Sequence, residues 1–168
     1  MEPSAFLARV IDDGLDFLQS IGGPDPSHEA RRFLLCIALQ ESGPKLDARY
    51  QNSPSGSPGP ARGWWQFEQG GGTVGVLNHA GSRALAQEAC TQLTVVAEPA
   101  AVWRALEGND LLSCTFARLL VFTDPAPVPT DEDTAWDYYI RVWRPGAPHR
   151  DAWTTNWKTA SDCVAAHM

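Results

Sequence analysis

The chain has 168 residues, a formal net charge of −7 and an apolar fraction of 43%. A chain of that length can bury a core without metal or disulfide staples, and its composition is that of a globular domain rather than a fibrous or disordered one. The acid excess argues against nucleic acid as a partner, since phosphate binding calls for a basic surface, and no apolar run is long enough to span a bilayer.

Taken in chain order, the predicted elements are almost all helices. Residues 3 to 21 place Phe6, Leu7, Val10, Ile11, Leu15, Leu18 and Ile21 at helical spacing, and Gly22-Gly23 ends the run. Asp12, Asp13 and Asp16 lie inside this amphipathic pattern. The segment therefore reads as part of the fold rather than as a secretory signal, and the chain as one complete domain, 1–168, made in a cytoplasm.

Asp25-Pro26 reads as an N-cap followed by proline at the first helical position. A breaker-free run from Ser27 to Gln40 follows, and Gly43-Pro44 stops it directly after Ser42. Residues 43 to 60 form a loop dense in Pro, Gly and Ser, of a length that is usually functional. Gly63 to Phe67 is a short extended or turn-like piece, and any sheet is a small hairpin near residues 61 to 67.

Gly70-Gly71-Gly72 then breaks the chain. Thr73 caps a short helix to Ala80, and Ser82 caps the next, to about Thr91. Glu98-Pro99 opens another helix, closed by Gly108. Leu111 to Phe122, with Leu112, Phe116 and Leu119 in phase, is the central buried helix. A rigid connector, Asp124 to Pro129, leads to a helix opened by Thr130 and three acids, as the helix dipole prefers, and stopped at Arg144-Pro145-Gly146. The last helix runs from about Asp151 to Ala165, with Trp153, Trp157, Ala160 and Val164 on one stripe. The fold class is mainly α: a single helical domain with at most a small β-hairpin.

Cys36, Cys90, Cys114 and Cys163 include no C-x-x-C pair and read as buried free thiols, with a disulfide after export as the alternative. His28, His79, His149 and His167 read as surface or loop residues. Nothing in the sequence calls for a metal or a cofactor, and the oligomeric state is left open. Of the seven tryptophans, Trp103, Trp136, Trp143, Trp153 and Trp157 have the spacing of core residues. Trp64 and Trp65 adjoin Gln66 among glycines, where one is expected in the core and the other on a cleft wall.

The chemistry centres on Glu41-Ser42. Ala30, Leu34, Ile37 and Glu41 share a helix face, so Glu41 ends an apolar stripe at the last turn, near the negative end of the dipole. Burial and the dipole both disfavour the carboxylate and raise its pKa, which a general acid working near neutral pH needs. Aromatic faces stack on sugars and an amide pairs with an N-acetyl group, so Gly63-Trp64-Trp65-Gln66 suits a glycan. Together they point to cleavage of a glycosidic bond.

Gln40-Glu41-Ser42-Gly43, the polar loop, and Ala61-Arg62-Gly63-Trp64-Trp65-Gln66-Phe67 resemble the soluble lytic transglycosylase and goose-type lysozyme superfamily. The match is specific over Leu34 to Phe67, with Trp64 and Trp65 in place of the usual aliphatic pair. The family's third motif has no clean copy. The nearest segment is Ala135-Trp136-Asp137-Tyr138-Tyr139, where Tyr138 and Tyr139 both stay open, though the spacing of Trp136, Tyr139 and Trp143 turns Tyr139 inward.

The resemblance implies a lysozyme-like α+β fold and cleavage of the β-1,4 bond between N-acetylmuramic acid and N-acetylglucosamine in peptidoglycan. In it, Glu41 is the acid and base, and Ser42 orients Glu41 or contacts substrate. Tyr50, Gly63, Trp64, Trp65, Gln66 and Tyr138 or Tyr139 line the glycan site. Two-carboxylate glycosidases need a partner acid, for which Asp47 and Glu68 are candidates. The alternatives are a lysozyme- or chitinase-like hydrolase using that second acid, and a catalytically silent lysozyme-like domain that binds glycan or serves structure. A wall-cutting enzyme without a signal is expected to be a bacteriophage protein, released through a membrane lesion or carried in the virion.

Overall fold

The computed structural model describes residues 1–52 and 56–167, with the backbone alone for Tyr50, Gln51 and Asn52. It is mainly α with a small antiparallel sheet, as the periodicity predicts. The first helical rod is continuous: α1 (Pro3–Phe6) passes through a π-helical stretch, Leu7–Asp12, into α2 (Asp13–Ser20). It ends at Gly22 (φ +90°), where the N–H groups of Gly22 and Gly23 donate to the carbonyls of Gln19 and Leu18. That left-handed step lets a helix satisfy its last carbonyls.

Helix α3 (His28–Ser42) is capped by Ser27, whose hydroxyl accepts from the Ala30 N–H at 3.1 Å. The cap is therefore Ser27 rather than Asp25. The Asp25 carboxylate instead accepts from the Gln19 amide at 2.8 Å, and Pro26 lies outside the helix. From Phe33 to Leu39 every residue of α3 is buried. The helix runs through the core rather than along its surface, so the stripe carrying Leu34, Ile37 and Glu41 is one of several buried faces.

The stretch expected to be loop from 43 to 60 contributes to a three-stranded antiparallel sheet, in the order β1 (Tyr50–Asn52), β2 (Pro58–Arg62), β3 (Phe67–Glu68). The expected hairpin is β2–β3, with Arg62 opposite Phe67 and Ala61 opposite Glu68. The register of β1 on β2 shifts between Tyr50 and Asn52. A run of Pro, Gly and Ser hides such an edge strand, because its pairing is made by the backbone.

After β3 the glycines form a kinked turn, Gln69–Thr73, broken by the non-helical backbone of Gly71 and leading into α4 (Val74–Asn78). The expected caps Thr73 and Ser82 make no capping bond. Ser82, buried ahead of α5 (Arg83–Gln92), donates to the Val76 carbonyl at 2.7 Å and ties α4 to α5. Helix α6 (Pro99–Ala105) precedes α7 (Asp110–Thr123), which is buried from Leu112 to Leu119 as expected of a central helix. Helix α8 (Glu132–Trp143) is capped by Asp131, not Thr130, with its carboxylate accepting from Thr134 N–H at 2.9 Å. Helix α9 (Arg150–Ala166) packs along α3.

One cluster of buried side chains joins the helices and the sheet. Cys36, Cys90 and Cys114 are buried free thiols within it, and Cys163 is free and half-buried. Burial raises the Cys90 thiol to about 11 and pushes Cys36 and Cys114 well above the ordinary thiol range. Among the described residues, no helix is long and apolar enough to cross a membrane.

Candidate active site

Glu41 stands in the last turn of α3, half-buried, on the lining of a groove of about 970 Å³. That volume is within the range of small-molecule and cofactor sites. The groove runs between the end of α3, the β2–β3 side with its glycine turn, and the C-terminal ends of α7 and α8. Burial raises the Glu41 carboxyl to about 7, and a hydrogen bond from the Tyr139 hydroxyl, 2.7 Å from Oε1, partly offsets the rise. Among the described residues Oε2 has no partner, so it is the oxygen free to present a proton to the groove.

The choice between the two tyrosines is made by their bonds. Tyr139 turns to Glu41, while Tyr138 donates to the Val121 carbonyl at 2.7 Å beneath the Arg141 guanidinium and serves the packing of α8 on α7. Tyr139 is held by stacking on Trp153 of α9, with ring centroids 5.0 Å apart and planes 23° apart, and by Trp136 at 5.6 Å. Burial, and the carboxylate beside it, push its hydroxyl well above the ordinary phenol range. It is a proton-bearing donor at any working pH.

Ser42 does not touch Glu41. It is 3% exposed, and its hydroxyl lies 2.6 Å from the Trp64 carbonyl and 2.9 Å from that of Ala48. This corrects the expectation that Ser42 orients the carboxylate directly or meets substrate. It ties the end of α3 to the turn between β2 and β3.

That turn is the Gly-Trp-Trp-Gln segment. Gly63 (φ +75°) admits no side chain, since a Cβ there would meet the Leu106 carbonyl oxygen and Ser113 Oγ at 2.8 Å. Both indoles are buried, at 4% and 0% exposure, so although Trp65 belongs to the groove lining, neither offers the open ring face expected of a cleft wall. Trp65 N–H donates to the Leu34 carbonyl of α3 at 2.9 Å, and Trp64 N–H to Asp110 at 2.9 Å. They seat the turn instead of stacking on a ligand. Gln66 does reach the groove. Its backbone is left-handed (φ +50°), and its amide N–H₂ donates back to the Gly63 carbonyl at 2.9 Å. That fixes the side chain and leaves its amide oxygen for a ligand. The side chain of Tyr50 lies outside the described residues.

Several further groups line or brace the site. Gln40 lines the groove and is clamped between Asn156 (2.8 Å) and the His149 carbonyl (3.0 Å). Asp124 and Arg141 form a two-bond ion pair on the lining at 3.0 and 3.2 Å, and Arg141 holds the Asp124 carboxyl below its ordinary range. The indole of Trp143, also on the lining, donates to the Trp65 carbonyl at 3.1 Å. Arg49 bonds Asp110 at 2.8 and 3.3 Å and covers the Trp64 ring at 4.2 Å, locking the loop after α3 to α7. Only Gln40, as a neighbour of Glu41, carries a sequence signal that could have drawn notice.

Of the two candidate partner acids, Glu68 lines the groove with Glu41, and Asp47 is exposed and apart from it. Among the described residues no group of three His, Cys, Asp or Glu side chains is placed to hold a metal ion. Comparison of the chain with protein-family models, with curated proteins and with solved structures returns no match.

Proposed function

We propose that the protein is a peptidoglycan-cleaving lytic transglycosylase of the lysozyme-like superfamily, with Glu41 as its acid and base. The observation that carries the reading is the Tyr139 hydroxyl on Glu41 Oε1 in the groove, with the carboxyl raised to about 7. A carboxyl so placed still holds its proton near neutral pH and gives it up readily.

In the reaction, Glu41 protonates the oxygen between muramic C1 and the next sugar, and that C1–O bond breaks. The same carboxylate then takes the proton of the muramic C6 hydroxyl as O6 bonds to C1. A 1,6-anhydro end results, water is not consumed, and Glu41 is protonated again. Tyr139 pins one carboxylate oxygen through both steps, and Gln66 orients an N-acetyl group. The oxocarbenium-like transition state gains from the negative charge that Glu41 carries once it has given up its proton.

Glu68, on the same lining, supports a second reading. With Glu41 as acid and Glu68 as a base activating water, the enzyme is a hydrolase. The chemistry of the products separates the two. Digesting peptidoglycan with the protein and its Glu41→Gln variant, followed by mass spectrometry, gives fragments one water lighter for a transglycosylase. Reducing ends dependent on Glu68 mean a hydrolase. If neither protein releases fragments from wall that a control enzyme cuts, the protein is a silent glycan-binding or structural domain and the proposal fails.

A further inference from the structure

Beside the main groove lies a shallower depression of about 430 Å³, lined by Pro58, Pro60, Arg62, Gln69 and Trp103 together with Glu68 and Gly70. The last two also line the groove that holds Glu41, so the two hollows meet across β3 and the glycine turn. Resting on the glycan-cleaving reading, we propose that this depression is a distal subsite, binding sugars of the same glycan strand away from the bond being cut.

Its chemistry favours an uncharged amphipathic ligand. Trp103 is partly exposed rather than a core residue, and its N–H is spent on the Pro60 carbonyl at 2.8 Å, which fixes the ring beside β2. The Arg62 guanidinium lies over one face of the ring, 4.4 Å from its centroid, so only the ring surface it leaves uncovered is open to a ligand. The guanidinium is occupied by Glu107 at 3.1 Å and by the carbonyls of Gly59 and Ala61. Its charge is neutralised, so the depression does not draw phosphate. An immobilised indole and two prolines offer apolar surface for the faces of pyranose rings at little cost in side-chain entropy. Glu68 and Gln69, both exposed, supply acceptors and a donor for ring hydroxyls.

A subsite remote from the cut acts only on substrates long enough to reach it. The test is kcat/KM on peptide-free glycan strands, comparing a tetrasaccharide with strands of about a dozen sugars. For Trp103→Ala we expect about a three- to tenfold loss on long strands, the worth of one ring contact, and no change on the tetrasaccharide. Trp103→Phe should retain part of the long-strand advantage. Gln69→Ala, an exposed change that spares the fold, should lose in the same length-dependent sense even if Trp103→Ala does not fold.

Cleavage by the wild type with equal length dependence in all variants overturns the subsite and leaves the glycosidase reading standing. A uniform loss at both lengths also overturns it, since that is the mark of a structural role. A wild type that cuts neither substrate overturns both.

Discussion

Replacing Glu41 by glutamine should abolish activity and make the protein more stable, by an amount that grows with pH. In the folded chain the Glu41 carboxyl stands at about 7 against an ordinary value of 4.5. The folded state therefore keeps a proton that the unfolded state has released, and stability must fall as pH rises from 4.5 through about 7. Each decade of proton affinity is worth about 1.4 kcal/mol. A neutral amide of the same shape escapes this cost and can still accept the Tyr139 hydrogen bond at Oε1. The variant should gain on the wild type by about 2.5 kcal/mol between roughly pH 5 and pH 8.5, and no further above that. Paired denaturant melts at the two pH values read this directly, with constant m-values as the check on two-state behaviour. If the difference in stability is the same at both, Glu41 is an ordinary exposed carboxylate and the argument for its role as an acid collapses.

Tyr139→Phe removes the donor that favours ionised Glu41, so the alkaline limb of the rate profile should move up by about one pH unit, measured as kcat/KM against pH. A limb that stays put would detach Tyr139 from the acid. Ser42→Ala loses a buried hydrogen bond and should lower stability by about 1–3 kcal/mol while leaving that limb where it is, because Ser42 does not bond Glu41. Gly63→Ala should cost about 2–4 kcal/mol, from the backbone and the two close contacts together. Gly22→Ala, left-handed but with open space around it, should cost only about 1–2 kcal/mol. Equal losses at the two glycines in thermal melts would mean that the crowding around Gly63 is relieved by a shift of its neighbours.

Periodicity made the helices legible because α3 and α7 carry their apolar residues in unbroken runs, and the helix-ending Gly22-Gly23 and Gly43-Pro44 act within a residue or two. Glu41 was legible for the same reason, sitting where a buried run meets a stop. Caps were less so, because Ser, Thr and Asp crowd each helix start and only geometry selects among them. Ser27 won over Asp25 and Asp131 over Thr130 by reaching the third helical N–H. The tryptophans misled because two indoles next to a glutamine look like a sugar platform. Their N–H groups instead find Asp110 and the Leu34 carbonyl, partners far away in sequence. The same holds for the Asn156–Gln40 and Arg49–Asp110 contacts, which no local spacing encodes.

The bond from Tyr139 to Glu41 spans 98 residues of chain. A ribosome that has made Glu41 must synthesise all of them before the hydroxyl exists, and α9, which braces Tyr139 through Trp153, emerges later still. Until then Glu41 is an ordinary carboxylate in water, ionised near neutral pH. The raised carboxyl comes into being only when the final helices dock. A fragment that stops short of α8 and α9 lacks both Tyr139 and the ring that braces it, so it cannot hold Glu41 in this state.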